Sequence, residues 1–383
     1  MIDETRIRDN LKELSFPRLS GTKYERKCFS ITKQKIEDLD LTPIVQKFLF
    51  STFYSRIYPK VSLTLLSWLL VVLSLNISIA FTLINLCLIL ILILILILFT
   101  RNPEKIKLGK RHNSQNLYVK LLSQHIDTNS NYDIFFFSHL DSKGQTFSIK
   151  IRILLYYTWL ISFPLSLLFI IFNSFVIVED FILLYSFSIL TLIINCVASS
   201  ILWINMTNNK SKGAIDNASG ISIVLELLYY YSNQKNRLKN YNLWFVFTGA
   251  EESGTMGIRN FYKCIKNFDR EKTFIINFDS IANRVNLWDH GLLTNNNKAL
   301  NYILDNNNIM SLEKARRIYI GTYSDGLFLR NKKFKGLGNG DKTSYNYVHS
   351  VNDDVDKIEI GFLKKLCHFY TILLSEVDIN LKK

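Results

Sequence analysis

Two long apolar blocks limit what this chain can become. Val61–Phe99 contains no charged residue, and Ile153–Ile204 contains only Glu179 and Asp180. An α-helix rises about 1.5 Å per residue, so each block is close to twice what is needed to cross roughly 30 Å of hydrocarbon. A buried strand of that length has no place in a sheet. Each block therefore reads as a helical hairpin. The first has spans near 61–76 and 79–99 and turns at Asn76. The second has spans near 153–172 and 181–204 and turns at Glu179 and Asp180.

A hairpin leaves and re-enters on one side, so the polar segments around the blocks can join in one soluble domain. An odd number of spans would separate them across the membrane. The expected organisation is 1–58 as the first part of that domain, 61–99 as transmembrane hairpin one, 100–150 as the second part, 153–204 as hairpin two, and 206–383 as the remainder. Arg56, Lys60, Arg101, Lys105, Lys107, Lys110, Arg111, Lys150, Arg152, Lys210 and Lys212 flank the blocks on the domain side, and the far turns hold no Lys or Arg. The positive-inside rule then puts the soluble domain in the cytoplasm of a four-span, multi-pass membrane protein. A formal charge of +14 suits an anionic membrane surface, and no nucleic-acid motif accompanies it. Cys28, Cys87, Cys196, Cys264 and Cys367 show no CxxC spacing, which argues for a reducing compartment. The first residues are polar and charged, without the apolar core of a signal peptide.

The polar segments read as α/β. Runs dense in Phe, Val, Ile and Trp at 133–138, 243–248, 273–278 and 285–288 predict strands. Ile221, Val224, Leu225 and Leu228 share one face of a helix at 219–231. Further helices are expected at 255–267, 297–305 and 358–375. In open α/β sheets ligands collect beyond the carboxyl ends of strands.

Residues able to do chemistry stand at just those strand ends. His139 and Asp141 follow the run DIFFFS as His-Leu-Asp, Glu251 and Glu252 follow LWFVFTGA, and Asp279 ends TFIINFD. Asp216 lies in GAIDNASG, before the helix at 219–231, and His349 lies in YNYVHSVNDD. Zinc-type cations take carboxylate oxygen and imidazole nitrogen. Five of the residues suffice for two ions and leave one glutamate over as a base, which reads as a two-metal hydrolase. Asp141, two residues past His139 on the same strand face, can orient the imidazole.

The order HxD, D-N-x-S-G, E-E, D, H resembles that of the di-zinc aminopeptidase family of clan MH, metallopeptidase family twenty-eight. PRLSGTKYERK (17–27), YSDGLFLRNK (323–332) and HSVNDDVDKI (349–358) are similar to further motifs of that family. The resemblance covers 1–58, roughly 110–150 and 206–375, and leaves out both apolar blocks. It implies a zinc exopeptidase-like fold, a three-layer α/β/α sandwich with a mixed central sheet, here interrupted by two transmembrane hairpins. It implies two Zn2+ per chain, with Asp216 shared, His139 and Asp279 on one ion, and Glu252 and His349 on the other. Glu251 is then the general base, and peptide or protein N-termini are the substrate. Val348 stands where many relatives carry a tyrosine, with Tyr345 and Tyr347 nearby, so no oxyanion partner is assigned.

Taken singly, each motif has a plainer meaning: a capped strand end, a solvated Glu-Glu loop, a helix start. Their joint order carries the reading. His290 and His368 lack such context and are expected to be structural. Glu226 is expected on the surface or behind the ligands. Three other functions compete: a single-zinc transferase like glutaminyl cyclase, a receptor-like relative with a dead site, and a transporter. The intact ligand set argues against the dead site, and the lack of charge within the spans argues against transport. About a dozen residues link His139 to the second hairpin, so chain reach alone holds the site within about 40 Å of the bilayer.

Overall fold

The computed structural model describes residues 1–75, 77–125, 132–175, 181–314 and 324–380. The chain forms two compact units. One comprises Met1–Phe50, His112–Gly144 and Asn208–Lys383, the other Ser51–Arg111 and Gln145–Thr207.

The first unit is built on a mixed eight-stranded sheet. Its strands are β1 (Ile44–Ser51), β2 (Arg111–Leu121), β3 (Tyr132–His139), β4 (Tyr241–Thr248), β5 (Thr273–Phe278), β6 (Val285–His290), β7 (Met310–Lys314) and β8 (Lys335–Gly340), in the spatial order β1-β2-β4-β3-β5-β8-β6-β7. The middle is parallel: β3 pairs with β4, His139 opposite Thr248, and with β5, Phe137 opposite Asn277. β5 continues parallel to β8, whereas β2–β4 and β6–β8 are antiparallel. A strand buried on both faces needs apolar side chains on both, which is why Ile134–Phe137 is unbroken rather than alternating. Phe135 and Phe137 pack on Ile258, Phe261 and Leu329, beneath α8 (Met256–Ile265) and α10 (Asp325–Asn331). Phe136 turns the other way, its ring centroid 5.1 Å from that of Phe245. On that face Phe278 meets Tyr370 at 4.9 Å. There α7 (Ser219–Ser232) lies on the sheet, with α1 (Glu4–Leu14) and α11 (Ile360–Asn380) beside it; α2 (Lys23–Glu37) and α9 (Asn297–Asp305) complete the described α-helices of this unit. The result is the expected three-layer α/β/α sandwich with a mixed central sheet.

All four expected strands form. The sequence reading missed β1, β2, β7 and β8. β8 reads Lys-Gly-Leu-Gly-Asn-Gly, a loop composition, yet it lies between β5 and β6. At Gly336 a Cβ would come within 1.8 Å of the Ile275 carbonyl oxygen, so the glycine marks a close approach to β5 rather than a turn. Glu226 is also corrected. It is buried in α7, where Arg6 of α1 grips its carboxylate at 2.9 and 2.7 Å and Asp3 N donates at 2.7 Å. Arg6 also lies 3.6 Å over the Tyr229 ring. The N-terminal helix is what removes Glu226 from solvent.

The second unit consists mainly of four helices: α3 (Tyr58–Leu75), α4 (Ile79–Thr100), α5 (Ile149–Phe175) and α6 (Phe181–Ile204). Each is long and apolar enough to cross a membrane. α3 starts earlier than expected because Pro59 sits in its first turn, where a missing N–H leaves nothing unpaired. α5 extends outward to take in Lys150 and Arg152, and carries Pro164 inside. The expected turns at Asn76 and at Glu179 and Asp180 lie outside the described residues, as does Tyr323 of the 323–332 motif. Ile91 and Leu98 of α4 are 55% and 60% exposed. That much bare leucine and isoleucine suits lipid rather than water. Uncharged polar contacts join α3, α5 and α6: Ser67 Oγ meets Asn195 Oδ1 at 2.8 Å and Ser199 Oγ at 2.7 Å, and Asn195 Nδ2 donates to Ser162 Oγ at 3.1 Å.

Candidate metal centre

Three neighbouring parallel strands deliver the site. β3 ends at His139, β4 ends at Thr248 just before the turn holding Glu251 and Glu252, and β5 ends at Phe278 before Asp279. Asp216 arrives from the other direction, in the non-helical turn Ala214–Ala218 that leads into α7. Asn217 of that turn donates to the Phe278 carbonyl at 2.8 Å, and Ile215 N donates to Asp353 at 2.6 Å. His349 sits in a loop, in the left-handed region at φ 63°.

The structure brings the five predicted metal ligands together. His139 Nε2 is 3.0 Å from Asp216 Oδ1 and 3.7 Å from Asp279 Oδ1. His349 Nε2 is 3.1 Å from Asp216 Oδ2 and 2.9 Å from Glu252 Oε1. Asp216 thus offers one oxygen to each histidine. Two trios result, His139–Asp216–Asp279 and Asp216–Glu252–His349, each with its donor atoms within 4.8 Å of one another. Glu251 stands apart from both trios, buried, with Oε1 free of any hydrogen bond. His290 and His368 lie in β6 and α11, outside both trios.

Asp141 lies just beyond the end of β3, so strand alternation is not what places it. His139 Nδ1 faces the Asp141 main-chain oxygen at 3.0 Å and its carboxylate at 3.5 Å. The carboxylate itself is taken up by the N–H groups of Glu251 and Glu252, at 3.0 and 3.1 Å.

Burial and charge pull these groups apart electrostatically. Burial disfavours a charged His139, but its contacts with Asp141, Asp216 and Asp279 outweigh that and push the imidazole well above its ordinary value. Burial raises Glu251 well above the carboxylate range; His139 opposes the shift, and Glu252, Asp279 and Asp325 add to it. Glu252 is also buried, yet His349 and Lys143 bring it down to about 2. Lys143 Nζ is 2.6 Å from Glu252 Oε2.

Lys143 carried no signal in the sequence, since a lysine in a polar loop reads as solvated. Asp325 and Asp353 lie within two quoted motifs but received no role. Burial, with the neighbouring charges, pushes each up to about 7, Asp325 against a hydrogen bond from Thr248 and Asp353 against one from Ile215 N.

Orphaned atoms test whether the donor set suits a cation. His139 Nε2 and Asp216 Oδ1 are buried and face each other at 3.0 Å without making a hydrogen bond, and neither has another hydrogen-bond partner. Buried polar atoms left so are rare and unfavourable, by about 1–3 kcal/mol each. A zinc-type ion accepts lone pairs from both atom types. The three carboxylates of the trios also carry negative charge that two divalent ions neutralise. The donor set fits.

Residues 198–370 match the family model described as peptidase family M28. That stretch holds Asp216, Glu251, Glu252, Asp279 and His349, but not His139. No curated protein matches by sequence. Among solved structures, the fold is similar to an aminopeptidase from Aneurinibacillus sp. strain AM-1, with TM-score 0.57 and 15% identity, covering 98% of this chain and 93% of that one. It is similar to BSAP, a zinc aminopeptidase from Bacillus subtilis, with TM-score 0.56 and 12% identity over 98% and 96% of the two chains. A Fimbriiglobus ruber glutaminyl cyclase follows with TM-score 0.52 and 12% identity over 98% and 95%. The resemblance drawn from the motifs is therefore supported: residues 198–370 match the model of peptidase family M28, and the fold is similar to that of solved aminopeptidases.

Proposed function

We propose that this chain is a membrane-embedded metallo-aminopeptidase that hydrolyses N-terminal peptide bonds at a two-zinc site. The observation that carries the reading is the pair of donor trios sharing Asp216. His139 and Asp279 would complete one position, Glu252 and His349 the other. Zinc, when bound, polarises a scissile carbonyl and lowers the pKa of water. The chain's own residues do the rest. Lys143 keeps Glu252 ionised and fixed by one oxygen, leaving the other toward His349. Glu251, buried and raised in pKa, takes a proton from the attacking water and returns it to the leaving amine. Burial raises the affinity of Glu251 for the proton that it takes up and passes on. A single-zinc cyclase would need one trio only, so the second trio favours hydrolysis.

The same reading puts four spans in the bilayer and the peptidase unit in the cytoplasm. The motivating features are four apolar helices and basic flanks.

Glu251→Gln tests the chemistry. It should keep both metals and lower turnover of aminoacyl chromogenic substrates on the order of 10²-fold or more. Glu252→Gln should instead lose one metal. An undiminished rate in Glu251→Gln would remove the base from the scheme. Orientation is tested by labelling a cysteine placed at Lys105, in a variant otherwise without cysteine. Reaction with an impermeant reagent from outside intact cells would overturn the cytoplasmic placement.

A further inference from the structure

We propose that the segment Arg18–Glu25 holds the catalytic turn in place, with Glu25 as its central positioning residue. This rests on the assignment of Glu251 and Glu252 above and goes beyond the stretch matched by the family model.

The turn Gly249–Glu252 directs four successive main-chain N–H groups inward, and each meets a side-chain oxygen. Gly249 N donates to Asn116 Oδ1 at 3.1 Å, and Ala250 N donates to Glu25 Oε1 at 2.8 Å. Glu251 N and Glu252 N donate to the two oxygens of Asp141. Successive amides of this kind form a concavity that takes up oxygen acceptors, and the Asn116 amide with the carboxyl groups of Glu25 and Asp141 fills it. Ala250 sits at φ 51°, a conformation unfavourable for a residue with a Cβ, so the turn depends on its acceptors.

Two of the acceptors, Glu25 and Asp141, are held from one short segment, with Ser114 of β2 assisting. Gly21 N donates to Glu25 Oε2 at 2.5 Å, and Ser114 Oγ donates to Oε1 at 2.7 Å. Ser20 Oγ donates to Asp141 Oδ2 at 2.5 Å. Arg18, fully buried, donates to the carbonyls of Leu140, Lys212 and Gly213 at 2.9, 2.7 and 2.8 Å. Those carbonyls flank His139 and precede Asp216. One stretch of eight residues therefore reaches all three loops that present His139, Asp216 and the two glutamates. Glu25 touches no reacting atom; it acts through the backbone of Ala250.

A merely structural role would lower stability without changing the turnover of each folded molecule. A positioning role shifts kcat and leaves KM, because small misplacement weakens the transition state more than binding. The test uses the full-length, zinc-loaded protein in detergent, with aminoacyl chromogenic substrates and metal counted by mass spectrometry. Glu25→Ala is expected to lower kcat on the order of 10²-fold with KM within about threefold, and to lose metal from one position as Glu252 drifts. Glu25→Gln keeps an oxygen for Ala250 and should recover most of the rate. Wild-type kcat and metal content in Glu25→Ala would overturn the inference, as would a loss that only tracks the unfolded fraction. If Glu25→Ala does not fold, Ser20→Ala, which removes the hydroxyl held on Asp141, decides, and wild-type kcat and metal content in it would overturn the inference. Glu251→Gln runs alongside. Full turnover there defeats the base assignment, while the metal count of Glu25→Ala still reports on positioning.

Discussion

In the sheet unit the buried polar residues include Arg18, Glu25, His139, Asp141, Asp216, Glu226, Glu251, Asp325 and Asp353. In the helical unit they are Ser51, Thr52, Ser67, Ser162, Ser166, Ser188, Asn195 and Ser199, with no charged residue among those described. The sheet unit concentrates ionisable groups at the carboxyl ends of three strands, where opposite charges and main-chain amides can answer them. The helical unit confines itself to hydroxyls and one amide, which can pair with each other. Burying a charge is strongly unfavourable without partners. The contrast shows where the molecule concentrates its chemistry, and it can be broken unit by unit.

The largest effect is expected at Asp216, because it stands in both trios. Asp216→Asn should abolish turnover and reduce metal content at both positions, whereas Asp279→Asn should affect one. Chelation should abolish activity while leaving the helical signal of the four apolar helices intact, measured by circular dichroism. A variant at Asp216 that keeps two metals would break the shared-ligand geometry.

Glu25 gives the next effect, now on stability. Burial, with Asp141 adding to it, pushes its carboxyl from an ordinary 4.5 up to about 8. A raised acid pKa in the fold means that the group's contribution is full below about pH 4.5 and is lost as pH rises through about 8. Within that window the slope reaches at most about 1.4 kcal/mol per pH unit. Glu25→Gln removes the ionisation, so wild type should lose stability relative to the variant between pH 5 and 8, in denaturant titrations. Parallel profiles would show that Glu25 does not titrate there.

These two residues mark the border of what the sequence discloses. Asp216, Glu251, Glu252 and the histidines could be picked out because a metal site demands particular residue types at strand ends. Glu25 and Arg18 serve main-chain groups more than a hundred positions away, and any buried acceptor or donor of suitable reach would do. Both lie within the motif PRLSGTKYERK, but its residue types do not say which distant groups they meet. The apolar helices are legible for the opposite reason: length and hydropathy alone define them. β8 was hidden because its glycines answer to crowding by β5, a feature of packing rather than of propensity.

A third effect separates two ways of breaking one buried ion pair. Glu226 has a fully buried side chain, while Arg6 keeps 30% of its side chain exposed. Arg6→Met strands a carboxylate inside α7 and should lower stability by about 3 kcal/mol, the lower end for a broken buried pair. Glu226→Gln leaves an arginine that can turn to water and should lower it by about 1–2 kcal/mol. Denaturant midpoints of the two variants check the order. The reverse order would mean that the cation, stacked on Tyr229, is the costlier partner to leave alone.

The smallest effect lies in the helical unit, and it is the sharpest test of the contrast. Ser67→Ala removes contacts to both Asn195 and Ser199. Hydrogen bonds between membrane helices average only about 0.6 kcal/mol, with a maximum near 1.7, because separated helices find other partners in lipid. Asn195 Nδ2 keeps its bonds to Ser162 and the Trp159 carbonyl in the variant, and only Oδ1 loses a donor. Ser67→Ala should therefore lower the thermal midpoint slightly and leave kcat and KM unchanged. Asn195→Leu deletes the hub and should lower stability further, again without touching turnover. A clear fall in kcat from either variant, at an unchanged midpoint, would mean that the uncharged cluster participates in catalysis. The division between a chemical unit and a packing unit would then be wrong.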